Sequence, residues 1–195
     1  QLAFVVGSYH LLKHNKGKGV MIGHMDDMDP RVVTVIGAGV AGTQSILKAI
    51  DNRALVKVVD SSQTKLDDLK SKYGTDNVEY ILSTKDSIQV SVNESDLVIG
   101  SVYVVGKEAP KVVTKEMLSS MNPGTVMVDV SIDQGGCFET SKPTTHDSPT
   151  FLENDIVHYC VTNMPGAVPL TATEALNKVS LSYVENLENN GIQNA

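Results

Sequence analysis

The chain has 195 residues, 41% of them hydrophobic and 20% charged, with a formal net charge of −7. That length suits one domain with appendages, able to bury roughly 70% of the surface it exposes when unfolded, and the composition excludes disordered and fibrous classes. The acidic balance argues against a nucleic-acid partner, because phosphate binding needs Lys and Arg gathered on one face.

No apolar run approaches the ~20 residues of a membrane span. Residues 1–6 lack the basic start and cleavage site of a signal peptide. A cytoplasmic protein without a membrane partner is therefore expected. Cys137 and Cys160 are too few for a disulfide framework and read as reduced thiols.

Leu2, Val5, Tyr9 and Leu12 recur at helical spacing, yet no Ser, Thr, Asp or Asn cap precedes them. A helix that opens without a cap or an initiator Met implies that the chain lacks its natural N-terminus. The helix is expected to stop near Asn15, Lys16 and Gly17, with Lys13, Lys16 and Lys18 as its polar end. A loop over 23–30 follows. His24, Asp26, Asp27 and Asp29 match no helical or EF-hand ligand spacing, so this reads as a solvated loop and no metal is expected.

The run 32–36 (VVTVI) is the first strand, and Gly37-Ala38-Gly39-Val40-Ala41-Gly42 leads from it into a helix over 40–50. A second strand over 54–59 ends at Asp60, about 20 residues beyond the last glycine. Strand, glycine turn, helix, strand and acid in that order form the dinucleotide-binding fingerprint. Gly37 permits the tight turn, Gly39 lets backbone N–H groups approach a pyrophosphate, and Gly42 allows close packing. The helix N-terminus presents free N–H groups and a positive dipole end to the phosphates. Asp60, at an exposed strand end, would accept from the adenosine ribose hydroxyls.

Helix and strand continue to alternate: a helix over 63–72, a strand over 78–81, a short helix over 84–92 and a strand over 97–99. A helix over 114–120, a strand over 125–130 and a sixth strand over 156–161 complete the pattern. Such alternation predicts an α/β fold, a doubly wound parallel sheet of Rossmann type with helices on both faces. Thr171 and Glu174 make a capping box for a final helix whose face carries Ala172, Leu176, Val179, Tyr183 and Leu187, with Asn190 and Gly191 ending it.

Ligands of such sheets gather at the carboxyl ends of the strands, which points to the segments 37–42, 100–106, 130–136 and 161–168. Asp133 stands just beyond the strand over 125–130 and before two glycines, either facing a ligand or serving as a turn residue. Asp129, inside that strand, reads as structural. The loop over 163–169 holds two prolines; it could cover a nicotinamide ring or simply set up the next helix. Ser83 is an adenine-side contact or a turn residue. His10, His14, His146 and His158 lack a nearby nucleophile with an orienting group, which sets hydrolase chemistry aside.

The strings DLVIGSVYVVGKEAPKVVT, VDVSIDQGGCFETSKPTTHD and VHYCVTNMPGAVP resemble alanine dehydrogenase over essentially the whole chain. The nicotinamide nucleotide transhydrogenase alpha subunit shares the fold, but the unbroken IDQGGCFE favours alanine dehydrogenase. The resemblance implies oxidative deamination of L-alanine to pyruvate and ammonia with NAD, in a homo-oligomer. It further implies that Val40, Asp60, Lys65, Ser83, Val102 and Tyr103 line the cofactor together with Gly37, Gly39, Ala41 and Gly42. Val130, Ser131, Ile132, Asp133, Val161, Thr162, Asn163 and Met164 join them, with Asp133 as the catalytic aspartate. Lys142 stands where the family often carries an arginine that contacts the cofactor, and a lysine lacks the fork geometry of that contact. The division it suggests is a connecting helix over 1–16, an NAD-binding domain over 17–170 and a C-terminal helix over 171–195. The family's substrate-binding Arg and Lys and its catalytic His belong to an N-terminal portion outside this sequence. The chain alone is thus expected to bind cofactor and turn over little. A stand-alone nucleotide-binding or sensing module is the competing reading.

Overall fold

The computed structural model describes residues 1–23, 25–104 and 106–190. The chain divides into two compact units, residues 1–162 and a second that begins at Asn163. In the first, α1 (Leu2–His10) precedes β1 (Val32–Ile36), α2 (Val40–Asp51), β2 (Leu55–Asp60), α3 (Gln63–Tyr73), β3 (Val78–Leu82) and α4 (Lys85–Glu94). Then come β4 (Leu97–Gly100), α5 (Lys115–Leu118), β5 (Val126–Asp129), β6 (Thr150–Glu153) and β7 (Ile156–Tyr159). The seven strands form one sheet in the order β3-β2-β1-β4-β5-β7-β6, parallel except where β6 pairs antiparallel with β7.

Both faces of the sheet are covered, which is why β4 and β5 read as unbroken apolar runs rather than alternating ones. Val98, Met127 and Ile36 point into a core with Ile88 and Val92 of α4, Met117 and Leu118 of α5, and Phe138. On β4 and β5, Leu97 and Val128 approach Gly7 of α1, where a Cβ would stand 2.5 Å from Leu97 Cδ1. That close approach selects the buried face of α1. Ala3, Phe4, Gly7 and His10 are buried, while Val5 and Tyr9 are about half exposed, so the expected Leu2–Val5–Tyr9 face is corrected. The periodicity was helical, but the residue that lets the helix approach the sheet is the one without a side chain.

Two other expectations are corrected. The predicted helix over 114–120 is only the four-residue α5, with Thr114 making no side-chain cap. The sequence reading also lacked β6. Its signal is Asn154-Asp155, with φ of 51° and 59°, joining Glu153 to its partner Ile156 in a two-residue hairpin. Positive φ at both central residues is the I′ turn that matches strand twist.

The second unit holds a short 3₁₀ turn (Met164–Ala167) and α6 (Pro169–Asn190). The Val168 carbonyl accepts from the Ala172 N–H at 2.9 Å, so the helix starts two residues before Thr171. Thr171 therefore lies inside the first turn rather than at the cap. Pro169 supplies the start instead, with φ preset and no N–H to leave unpaired. The expected stop at Gly191 lies outside the described residues. No helix among the described residues is long and apolar enough to cross a membrane.

Candidate functional site

After β1 the chain builds β2 and β3 towards one edge of the sheet, and after β4 it builds β5 and β7 towards the other. The loops leaving β1 and β4 therefore diverge, and a crevice opens at the carboxyl ends. A cleft of about 860 Å³ fills it. Gly37, Gly39, Val40 and Ala41 line it after β1, and Asp60, Ser61 and Lys65 after β2. Ser101, Val102, Tyr103, Val104 and Pro110 contribute from beyond β4, and Val130, Ser131, Asp133 and Gln134 from beyond β5.

The glycine turn is braced from two sides. Gly37, at φ 96°, donates its N–H to the Val59 carbonyl at 2.8 Å, and its own carbonyl accepts from Ser101 Oγ at 2.7 Å. A Cβ on Gly42 would stand 1.8 Å from that carbonyl oxygen. Gly42 thus sits behind the turn and not on the cleft wall. A Cβ on Gly39 would meet nothing within 4 Å, so the bare Cα faces open space. Gly39 is also the N-cap of α2 and offers no side-chain acceptor, and Val40 after it is 90% exposed. Orphan N–H donors beside a glycine with open space at its Cα fit the diphosphate of a dinucleotide.

Asp60 is buried, which corrects the expected exposed strand end. The turn folds over it: Oδ2 accepts from the Ala38 N–H at 2.7 Å, and Oδ1 from the Ser62 N–H at 2.8 Å. Each oxygen keeps a further acceptor site, enough for a ribose diol. Lys65 Nζ stands 3.9 Å from Oδ1.

Across the cleft, Asp133 sits on a 3₁₀ turn (Ile132–Gln134) directly after β5. It is exposed, and among the described residues its carboxylate has no hydrogen-bond or ion-pair partner. A turn or cap aspartate would be bonding a backbone N–H, and this one bonds none among the described residues. Ser131 Oγ donates to the Val102 carbonyl at 2.8 Å and ties the β5 loop to the β4 loop. Ile132 is buried beneath the turn.

Several residues of the first unit assigned to the cofactor lie off this cleft. Ser83 donates its N–H to the Asp60 carbonyl at 2.9 Å without lining the crevice. Lys142 Nζ is 3.7 Å from Glu153 Oε2 and 5.3 Å from the centre of the Phe151 ring. Val161 is buried, bridging to Thr144, whose carbonyl accepts from the Thr162 N–H. Asn163 and Met164 belong to the second unit, where Asn163 takes φ 50° ahead of the 3₁₀ turn. Ser61 and Pro110 also line the cleft and lie outside the strand-end segments read from the sequence, while Ser101, Val104 and Gln134 fall within the segments 100–106 and 130–136 without having been named as contacts. Ser101 had a signal: it follows Gly100 at the end of a buried strand beside the switch in strand order.

The buried His158, Cys160 and Cys137 are structural. His158 is fully buried, with Nε2 2.8 Å from Thr140 Oγ1 and Nδ1 3.1 Å from the Ile156 carbonyl oxygen. Burial pushes the Cys160 thiol up to about 12, and burial with the Asp129 carboxylate holds Cys137 well above the usual thiol range, so neither is a nucleophile at neutral pH. Asp27 and Asp29 are exposed, His24 lies outside the described residues, and no metal-ligating cluster occurs among the described ones.

Residues 3–195 match the family described as alanine dehydrogenase/PNT, C-terminal domain. The chain is 46% identical over 195 residues to an alanine dehydrogenase from Halomonas elongata, covering all of this chain and 52% of that protein. A solved L-alanine dehydrogenase superimposes with a TM-score of 0.92 at 41% identity, covering 98% of this chain and 53% of that one. A transhydrogenase from Sinorhizobium meliloti, at 22% identity and a TM-score of 0.79, shares the fold over 98% of this chain and 56% of its own. The chain spans about half the length of the curated relatives it matches.

Proposed function

The chain belongs to the alanine dehydrogenase/PNT C-terminal domain family, and from that premise we propose that it is the NAD-binding part of an enzyme that oxidatively deaminates L-alanine to pyruvate and ammonia. Membership implies a nicotinamide cofactor; NAD rather than NADP is the finer reading. One observation carries the proposal: a single cleft is lined from the β2 side by the glycine turn and Asp60, and from the β5 side by the Asp133 carboxylate, which has no partner among the described residues. Identities of 41% and 46% to alanine dehydrogenases, against 22% to a transhydrogenase, favour the alanine dehydrogenase reading over the transhydrogenase one.

When bound, a nicotinamide group supplies reversible acceptance of a hydride. Binding, orientation and charge stabilisation fall to residues of this chain. Bare N–H groups at the start of α2 hold the diphosphate, and Asp60 accepts from the ribose hydroxyls. Asp133 stabilises the positive charge that grows as the substrate amine becomes an iminium, and it orients the water that then attacks. Residues 17–170 would form the cofactor domain of a cytoplasmic homo-oligomer. A separate region would supply the opposite wall of the substrate site. Without that wall, orientation and acid–base assistance are lost together, so the chain alone binds cofactor and turns over little.

Titration of the chain with NADH and NADPH tests the cofactor. A 2′-phosphate would lie about 4 Å from the Asp60 carboxylate, and two such charges repel by about 4 kcal/mol at an effective dielectric of 20. Lys65 offsets part of this from its exposed position. NADH should bind at least about tenfold more tightly, a difference of about 1.4 kcal/mol; equal affinity would defeat the assignment.

Asp60→Ala should weaken NADH binding by roughly 1.5–3 kcal/mol, since hydrogen bonds to a charged acceptor are lost. It should also destabilise the fold by roughly 1–3 kcal/mol, because the Ala38 N–H loses its acceptor. Calorimetry and thermal melting read the two effects separately. Unchanged affinity would show that Asp60 is not the ribose ligand.

A further inference from the structure

Asp129 ends β5 and is completely buried, yet it has no ion-pair partner among the described residues. Its charge is met by donors from the loop it precedes. Oδ1 accepts from the Ser131 N–H at 2.9 Å; Oδ2 accepts from the Cys137 N–H at 2.9 Å and from Ser141 Oγ at 2.5 Å. The residues between Ser131 and Cys137 are thereby folded into a closed loop over one carboxylate, and that loop carries Asp133.

The other side of the loop is held by a cation. Gly135 and Gly136, at φ 85° and 77°, turn both their carbonyls to Lys111 Nζ, with the Gly136 contact at 2.7 Å. A Cβ on Gly136 would lie 2.6 Å from Asp129 Oδ2, so no larger residue allows this approach. The peptide joining Gly136 to Cys137 therefore lies between opposite charges: its carbonyl meets Lys111 and its N–H meets Asp129. Charge-assisted hydrogen bonds of this kind are roughly twice as strong as neutral ones. Two backbone bonds extend the grip, from the Ala109 N–H to the Gln134 carbonyl at 3.0 Å and from the Val112 N–H to the Cys137 carbonyl at 2.8 Å.

We propose that Lys111 and Asp129 form a peptide-bridged clamp on the 131–137 loop that fixes Asp133 at the cleft, making both of them positioning residues of the reaction. The inference rests on the role given to Asp133 above. A reacting group misplaced by about 1 Å can lose about 10²-fold in rate. A loop freed on one side should lose part of that.

The test uses the full-length enzyme with Lys111→Met, Lys111→Arg and Asp129→Asn, each alone and with Asp133→Asn. Lys111 is exposed, so Lys111→Met keeps the test informative if Asp129→Asn fails to fold. In the cofactor-free enzyme, amide exchange of residues 131–137 should accelerate at least about tenfold in Lys111→Met, with other segments unchanged. Its kcat should fall about tenfold with little change in KM for alanine, and Lys111→Arg should recover most of the loss because it still donates to both carbonyls. In the Asp133→Asn background, Lys111→Met should cost less than about twofold more, the non-additivity of residues that act as a unit. A lowered melting temperature with normal kcat, or unchanged exchange in the loop, would overturn the clamp. The single Asp133→Asn variant separates two failures. Near-normal kcat there overturns the role of Asp133 itself. A reduced kcat there, with equal Lys111→Met losses in both backgrounds, overturns the clamp alone.

Discussion

Asp133→Asn is expected to lower kcat of the full-length enzyme on the order of 10²–10³-fold, the usual cost of losing one electrostatic contact made in the transition state. Asn keeps the size and most of the hydrogen-bonding capacity of Asp but removes the negative charge. During alanine oxidation positive charge grows on the nitrogen, and the carboxylate beyond β5 is the acidic group facing the cleft from that side. Stability should barely change, because Asp133 is exposed and its side chain bonds nothing among the described residues. NADH affinity should likewise stay near wild type, since the diphosphate and ribose contacts belong to the β1 and β2 loops. Steady-state rates, NADH titration and thermal melting of the same preparation check all three. Near-normal kcat with a lowered melting temperature would make Asp133 structural and remove the mechanism proposed for it.

The parallel strands were legible because each is an apolar run bounded by glycine or polar residues, whereas β6 (TFLE), only partly buried, carries no such run. What the sequence hid was long-range. Asp60 read as an exposed strand end because nothing local shows that the Ala38 N–H folds back onto it. Gly7 has no side chain to mark a helix face, yet it selects the face on which α1 lies against Leu97. Asp129 read as structural, and only the folded loop shows that Ser131, Cys137, Phe138 and Ser141 converge on it. Lys111 left no trace at all, since its partners are backbone carbonyls, which carry no residue identity. Apolar patterning reports burial within an element, whereas hydrogen bonds between segments distant in sequence follow from the fold.

Two single-methyl substitutions within the fingerprint should separate binding from folding. Gly39→Ala adds a Cβ where nothing lies within 4 Å, at φ −74° and ψ −166°, a conformation alanine adopts freely. The protein should therefore melt at its wild-type temperature. The methyl nevertheless occupies the approach to the N–H groups of α2, and NADH affinity should fall at least about tenfold, or about 1.4 kcal/mol. Gly42→Ala should behave in the opposite way at first. Inside a helix, alanine gains up to about 1 kcal/mol over glycine. Against that, its Cβ would stand 1.8 Å from the Gly37 carbonyl oxygen, with Ser101 Oγ at 2.6 Å. That oxygen cannot retreat, because Gly37 is held by Val59 below and by Ser101 beside it. Over-packing costs about 1–3 kcal/mol even where side chains can shift, and here the obstacle is backbone. A net loss of about 3 kcal/mol would lower Tm by roughly 6–12 °C for a unit of this size. Cofactor affinity should then fall as well, since the turn that positions the donors is the part displaced. If Gly42→Ala melts like wild type, the turn is softer than its bonding implies. If Gly39→Ala binds NADH normally, the diphosphate does not approach α2 over that glycine, and the cofactor must lie elsewhere in the cleft.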